Sequence, residues 1–402
     1  MSNKYEKTVT ACCVGYIVQA VVNNLFPLLF VYFNEQYKIP LYLISIITAY
    51  NFGLQILVDS ASASVVLKLG YRKTAILSAA LAGLGLAVGG LTPYVFKGYA
   101  SIYAGIMTAV TLMAVGGGVM EVILSPLIEA LPVENKAAKM SFLHSFYCVG
   151  HILVVLAATG FFNVFGIEKW TICSFALIIV PVIDVILFLK CPIVSPEGDE
   201  KPVGRGKLFT NKTFVLFFIL MFAAGAAEQA IAQWISYFAE KGLNINKSAG
   251  DLVGGCAFAF GMFLSRILFG TVGKKRGFNI RKSVVICGVC LTACYVLAVF
   301  SPLAELSLVA LGAGGFFVGI MWPGIYSIAG ETFHSGGTVM FSMLALGGDV
   351  GCTAGPSLVG LISSAADIKT GLLFAAAFPM IITVGAIILI GKEKNGGLNK
   401  EL

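Results

Sequence analysis

The sequence is poor in charge. Asp, Glu, Lys and Arg make up only 12% of its 402 residues, whereas 58% are hydrophobic. A soluble domain carries roughly 25% charged residues, so a soluble enzyme of this size would lack the polar side chains to cover its surface. This excludes a soluble enzyme and predicts an integral membrane protein.

Catalytic motifs are missing as well. The sequence contains no GxxxxGK[ST], HExxH or GxSxG pattern, which argues against an ATP-driven pump, a metalloprotease and a serine hydrolase. Cys287 and Cys290 form a CxxC without a second pair, inside an apolar run where cysteines usually pack. A membrane enzyme or sensor would need a cluster of His, Cys or Asp, or an added domain, and neither is visible. We expect no enzyme activity, cofactor or metal.

Long apolar runs dominate what is present. A bilayer-crossing helix needs about 20 apolar residues, and the runs are continuous rather than alternating, which disfavours a β-barrel. We predict an all-α membrane protein with twelve transmembrane helices at residues 9–32, 40–66, 73–95, 99–126, 140–164, 168–190, 212–238, 249–272, 282–300, 303–329, 338–363 and 369–391.

The basic residues indicate the topology. If both termini share one side, 20 of the 27 Lys and Arg side chains lie on that side and 6 on the other, with Arg266 inside a span. Cytoplasmic loops carry the excess of positive charge. We therefore expect a multi-pass protein of the plasma (inner) membrane with both termini in the cytoplasm.

The chain also carries a weak internal repeat. VNNLFPLLFVYFNE at 22–35 aligns with AEQAIAQWISYFAE at 227–240, and Pro126 aligns with Pro323. The polar segment 191–211 has the composition of a flexible linker. We predict two six-helix halves, 1–190 and 212–402, related by a pseudo-two-fold axis with the substrate site at their interface.

Acidic residues inside the spans are candidates for proton coupling, because a charge at mid-bilayer costs at least ~2.5–3.5 kcal/mol. Glu121 follows three glycines that allow close helix packing. Asn51, Gln55 and Asp59 recur every four residues and share one helical face. We predict that Glu121 and Asp59 carry protons; the alternative for each is a hydrogen bond between helices.

Amide, imidazole and aromatic side chains inside the spans are candidates for binding a polar solute. Amides and carboxylates hydrogen-bond hydroxyl groups, and an aromatic ring offers a flat apolar face to a sugar. The alternative for all of them is helix packing. The predicted substrate-binding residues are Asn23, Asn24, Asn51, Gln55, His144, Tyr147, Glu228, Gln229, Gln233, Trp234, Trp322 and Tyr326.

Two further charges suggest gating or structural roles. Arg266 is the one cation that lies away from the ends of the predicted spans. It should be paired, with Asp349 and groups of the fifth span as candidates. Asp349 lies among small residues that favour tight helix packing. Asp184 has no polar neighbour in sequence and is interpreted as structural.

These patterns resemble the major facilitator superfamily. LKLGYRK at 67–73 is similar to its D-R-x-G-R-R/K signature, with Leu67 at the acidic position. Within the superfamily the sequence resembles the fucose permease-like sugar:proton symporters: Glu121 precedes Ser125-Pro126, and an Asn pair, Asn23-Asn24, precedes a proline. That resemblance implies two acidic side chains that couple transport to protons. At one of the two positions this sequence has Asn24, which cannot titrate.

The expected function is secondary transport by alternating access, as proton-coupled symport of a small polar solute such as a monosaccharide. A proton-coupled exporter of amphipathic compounds and an uncoupled facilitator are the alternatives. The expected partners are the solute, protons and the lipid bilayer, with no nucleic acid, and we expect a monomer.

Overall fold

The computed structural model describes residues 5–131, 136–194, 205–269, 279–333 and 337–394, which form helices and turns without a strand. Within these ranges, twelve helical segments are long and apolar enough to cross a bilayer. We number them α1 Glu6–Gln36, α2 Leu41–Val58, α3 Tyr71–Val95, α4 Tyr99–Ile128, α5 Phe142–Phe165, α6 Ile167–Lys190, α7 Lys212–Gly242, α8 Lys247–Ile267, α9 Ile280–Phe300, α10 Ala304–Thr332, α11 Met343–Ala365 and α12 Ile368–Glu393. The predicted all-α, twelve-span architecture is confirmed.

Three of the helices extend well beyond their apolar spans. The helix of α2 runs over Leu41–Leu69, that of α5 over Lys136–Phe165 and that of α11 over Gly337–Ala365.

The end of α6 is bonded by an arginine at the start of α3. The Arg72 guanidinium donates hydrogen bonds to the carbonyls of Leu189 and Cys191, both at 2.8 Å. Because the last carbonyls of a helix lack intrahelical donors, this arginine satisfies the end of α6.

Several of the spans are interrupted. In α1 an α-helix ends at Asn24, a 3₁₀ turn covers Phe26–Leu29, and an α-helix resumes at Phe30. Pro27 lies in this turn and supplies no backbone N–H. In α10 the helix ends at Gly319 and restarts at Met321, so Pro323 lies in a first turn, where proline is tolerated.

The chain divides into two compact units. Unit 1 comprises Met1–Gly198 with Asn246–Cys256, and unit 2 comprises Asp199–Ile245 with Ala257–Leu402. The first turns of α8, with a π-helical stretch at Gly250–Cys256, therefore cluster with unit 1. The sequence pattern does not predict this, since these residues follow α7.

Glycines bring the helices of unit 1 close together. A Cβ on Gly116 of α4 would lie 2.6 Å from the backbone N of Ala82 in α3, and one on Gly150 of α5 would lie 2.8 Å from the Cα of Ile17 in α1. Small residues allow such backbone approach in membrane helices. The polar faces of α1, α4 and α5 are thereby brought within hydrogen-bond reach.

Unit 2 has the same kind of contact between α7 and α11. A Cβ on Gly351 would lie 1.9 Å from the carbonyl O of Phe222, and one on Gly355 would lie 2.3 Å from the carbonyl O of Ala226. The tight packing predicted around Asp349 is therefore present. Tyr295 of α9 joins this group by donating a hydrogen bond to the carbonyl of Ala227 at 2.8 Å.

Candidate functional site

Polar side chains from four helices meet in unit 1. We call this set the unit 1 polar cluster. Its members are Tyr16, Gln19, Asn23 and Asn24 of α1, Asn51 and Gln55 of α2, Glu121 and Ser125 of α4, and His144 and Tyr147 of α5.

Three amide side chains of the cluster meet at the side-chain oxygen of Asn23. It accepts hydrogen bonds from Asn51 Nδ2 and Gln55 Nε2, both at 3.0 Å, and all three residues are buried. The four-residue spacing of Asn51 and Gln55 puts both amides on the face of α2 that meets α1. The structure therefore unites three predicted binding residues.

Glu121 of α4 is the one carboxylate of the unit 1 polar cluster. Its carboxylate accepts a hydrogen bond from Gln19 Nε2, and Gly117 lets α4 approach the Gln19 stem. Gln19 was not among the predicted residues. Its position four residues before Asn23, on the same face of α1, was the available signal.

His144 is held between two hydroxyl groups. Its Nδ1 lies 3.2 Å from Tyr16 Oη and its Nε2 lies 3.4 Å from Ser125 Oγ. One turn along α5, the Tyr147 hydroxyl accepts a hydrogen bond from Asn24 Nδ2 at 3.4 Å. Tyr16 and Ser125 were not predicted, although Ser125 follows Glu121 by one turn on α4.

Asp59, the second predicted proton carrier, lies on the helix of α2, but its side chain is outside those that the structure describes. Its role stays a prediction. Asp184 of α6 is completely buried in unit 1, and its two carboxylate oxygens have no hydrogen-bond partner among the described residues. Its structural interpretation stays a prediction.

An ion pair joins α7 and α8 in unit 2. Arg266 Nη2 of α8 lies 3.4 Å from Glu228 Oε2 of α7, and both side chains are largely buried. The sequence named Asp349 or groups of α5 as candidate partners of Arg266, and the structure gives it Glu228, which was not among those candidates. A role of Asp349 beside Arg266 stays a prediction. Asp349 is half-buried on α11, where its carbonyl accepts from the Thr353 hydroxyl at 3.2 Å. The cost of burying two charges makes their mutual pairing necessary.

The remaining α7 candidates differ in environment. Gln233 Nε2 donates to Gln229 Oε1 at 3.2 Å, one turn away, and both are buried. Trp234 is fully buried, and its indole N–H donates to the carbonyl of Pro356 at 2.9 Å. A ring without exposed face cannot stack on a solute in this state, so the placement favours packing for Trp234.

The two α10 aromatics remain partly exposed. The rings of Trp322 and Tyr326 are tilted, with centroids 6.4 Å apart. A Cβ on Gly348 of α11 would lie 2.2 Å from the Trp322 ring, so this glycine provides the space that the ring occupies. These two rings retain the geometry of a face that a sugar could contact.

The chemistry of the unit 1 polar cluster is neutral apart from one carboxylate. Amides, phenols and an imidazole can both donate and accept, which suits hydroxyl groups better than ions. Among the described residues, no group of three His, Cys, Asp or Glu side chains could hold a metal ion.

Comparisons with known proteins agree with this architecture. The model of the Major Facilitator Superfamily matches residues 12–280 and 217–401. A crystal structure of the E. coli fucose:proton symporter FucP is similar at 17% identity with a TM-score of 0.64, covering 96% of this chain and 99% of that one. FucP in an outward conformation matches with a TM-score of 0.63 at 17% identity and the same coverage.

A bacterial homologue of the human lysosomal transporter Spinster, in an inward-facing and occupied conformation, is also similar. It has 12% identity and a TM-score of 0.70, covering 97% of this chain and 98% of that one. At these identities the likenesses show the fold alone. No curated protein sequence matches the chain significantly. The family match extends over nearly all of the sequence, and the chain therefore belongs to the Major Facilitator Superfamily of membrane transporters.

Proposed function

We propose that this transporter carries a neutral monosaccharide together with a proton, exposing its site alternately to the two sides of the membrane. The observation that carries the proposal is the pair of bonds by which Asn51 and Gln55 hold Asn23. Three buried amides at one point are costly unless their hydrogen bonds are satisfied. A sugar could exchange its hydroxyls for some of these bonds.

The sugar chemistry follows from the donors and acceptors available. Each hydroxyl of a sugar both donates and accepts, and the amides of the unit 1 polar cluster do the same through different atoms. The Tyr16 and Tyr147 hydroxyls and the His144 ring extend this set. Within unit 2, the partly exposed rings of Trp322 and Tyr326 offer apolar faces of the kind that pack against the C–H side of a sugar ring.

Glu121 is the proposed proton carrier. As a carboxylate it only accepts hydrogen bonds, here from Gln19 Nε2. As a neutral acid it can also donate one through its O–H, so protonation changes which polar groups it can bind. Loading of proton and sugar would neutralise the site before closure, and loss of the proton in the cytoplasm would favour sugar release. The similarity of fold to a fucose:proton symporter makes L-fucose the first sugar to test.

The experiment is uptake by proteoliposomes that contain the purified full chain. Tritiated L-fucose and a panel of neutral hexoses are each assayed with and without an inward-directed proton gradient. We expect the gradient to raise accumulation of at least one sugar, and Glu121→Gln to remove this increase while sugar exchange at equal pH persists. Glu305→Gln, the same change at an exposed acid of α10, should leave accumulation unchanged.

Each other outcome has a defined meaning. Unchanged accumulation in Glu121→Gln would refute the role of this acid. Sugar uptake that ignores the gradient would indicate an uncoupled facilitator. Absence of uptake for every sugar, together with proton-driven extrusion of an amphipathic dye, would indicate an exporter.

We further propose that the protein lies in the plasma membrane as a monomer, with both termini in the cytoplasm.

A further inference from the structure

The first turns of α8 contain a buried ion pair. Lys247 Nζ lies 3.2 Å from Asp251 Oδ2, one helical turn away, and the Asp251 side chain is completely buried. The same oxygen accepts a hydrogen bond from the Thr159 hydroxyl of α5 at 3.0 Å. The carboxylate is thus fixed on two sides within unit 1.

The ammonium of this pair reaches the interruption in α1. Lys247 Nζ donates a hydrogen bond to the carbonyl of Leu28 at 2.6 Å. Leu28 lies in the 3₁₀ turn Phe26–Leu29, which begins two residues after Asn24. One cation therefore bridges a buried carboxylate and the backbone beside the Asn23-Asn24 pair.

The position of that contact matters because the interruption lacks regular α-helical hydrogen bonding. A 3₁₀ turn has poorer hydrogen-bond geometry than an α-helix, and Pro27 contributes no N–H to it. A bond from a charged donor is roughly twice as strong as a neutral one. The ammonium at the Leu28 carbonyl therefore ties this turn to α8 with a bond that the helix itself does not supply.

Stability alone does not explain the pair. Replacing a buried ion pair with apolar side chains is often neutral or stabilising, so a second role for this pair is sought in its geometry. We propose that Lys247 and Asp251 are positioning residues for the sugar site: they fix the interruption in α1 and thereby the placement of Asn23 and Asn24. Thr159 fixes the Asp251 carboxylate, and this carboxylate positions the Lys247 ammonium. The ammonium then donates its hydrogen bond to the Leu28 carbonyl.

A readout independent of transport is hydrogen exchange of the full chain in detergent. The double variant Lys247→Met/Asp251→Asn removes the cation without leaving a buried charge unpaired. We expect the peptide covering residues 24–32 to exchange about tenfold faster, because local opening there becomes easier. Lys247→Arg keeps a charged donor and should retain slow exchange, and Lys97→Met, at an exposed lysine, is the matched control.

The transport readout rests on the proposed function. In the proteoliposome assay with the sugar that the wild type accumulates, the double variant should raise KM about tenfold while kcat stays within about twofold. A merely structural loss would lower the amount of active protein and leave KM unchanged, which would overturn the positioning role.

The two readouts separate two failures. If the wild type transports no sugar, the proposed function fails, while the exchange measurement still decides on the positioning residues. Equal exchange of residues 24–32 in wild type and double variant would overturn the inference. An increase confined to residues 246–256 would overturn it as well.

Discussion

Gly351→Ala is the sharpest test of the contact between α7 and α11. The new Cβ would lie 1.9 Å from the carbonyl O of Phe222 and 2.9 Å from the N of Ala226, whereas ordinary contacts begin at 3.4 Å. Both atoms belong to the backbone, so no side chain can rotate away. The two helices must separate, and the α7 turn that precedes Glu228 must move.

The magnitude follows from two opposing effects. Alanine gains about 1 kcal/mol over glycine in a helix interior, and overpacking a close contact costs about 1–3 kcal/mol, occasionally more. Gly160 of α5 supplies the control, because a Cβ there meets nothing within 4 Å. Gly160→Ala should thus be neutral or stabilising, and Gly351→Ala should lie about 1–3 kcal/mol below it.

Thermal unfolding of the purified variants in one detergent measures this difference. Gly315→Ala serves as a second case, because its Cβ would lie 1.9 Å from the carbonyl O of Phe258. We expect both buried-glycine variants to unfold at lower temperature than Gly160→Ala. Equal unfolding temperatures for Gly351→Ala and Gly160→Ala would refute the claim that this contact is tight.

Further predictions concern unit 2. Arg266→Gln alone should cost about 3–5 kcal/mol because it leaves Glu228 buried without its cation, and the double variant with Glu228→Gln should recover part of that loss in a double-mutant cycle of thermal unfolding. Tyr295→Phe should cost about 1 kcal/mol by calorimetry, because the hydroxyl bond to the Ala227 carbonyl is lost. The amide hydrogen bond at the start of α12 lowers the pKa of Asp367 below its ordinary value. Its contribution to stability is therefore present above that ordinary value and is lost as pH falls through the folded-state pKa. Asp367→Asn keeps a capping side chain and should flatten this dependence in unfolding scans against pH; an unchanged slope would contradict it.

Hydropathy was sufficient for the fold because lipid imposes long apolar helices, and all twelve spans follow from it. The unit 1 polar cluster was partly predictable for a related reason. Asn51 and Gln55 stand out as amides at helical spacing in an apolar segment, and Asn23 stands out beside a proline. Each signal is local, so each could be found without knowledge of the packing.

Pairings between distant helices could not be predicted in this way. Arg266 and Glu228 are separated by 38 residues, and any buried acid satisfies the same charge requirement as Glu228. Asp251 was overlooked because it lies at the edge of an apolar run, where a carboxylate usually faces water. Trp234 shows the opposite limitation: the sequence places it beside polar residues, and only the packing reveals that its ring is enclosed.

The contact of Arg72 with the end of α6 has a consequence for chemical labelling. The Cys191 thiol is free and buried, and the Cys191 carbonyl is one of the two that Arg72 holds. Burial raises the pKa of this thiol, while the neighbouring Arg72 charge lowers it. Because thiolate is the reactive form and the thiol is buried, Cys191 should react slowly with maleimides while the end of α6 stays packed. The alkylation rate of this native cysteine then measures how often the end of α6 opens.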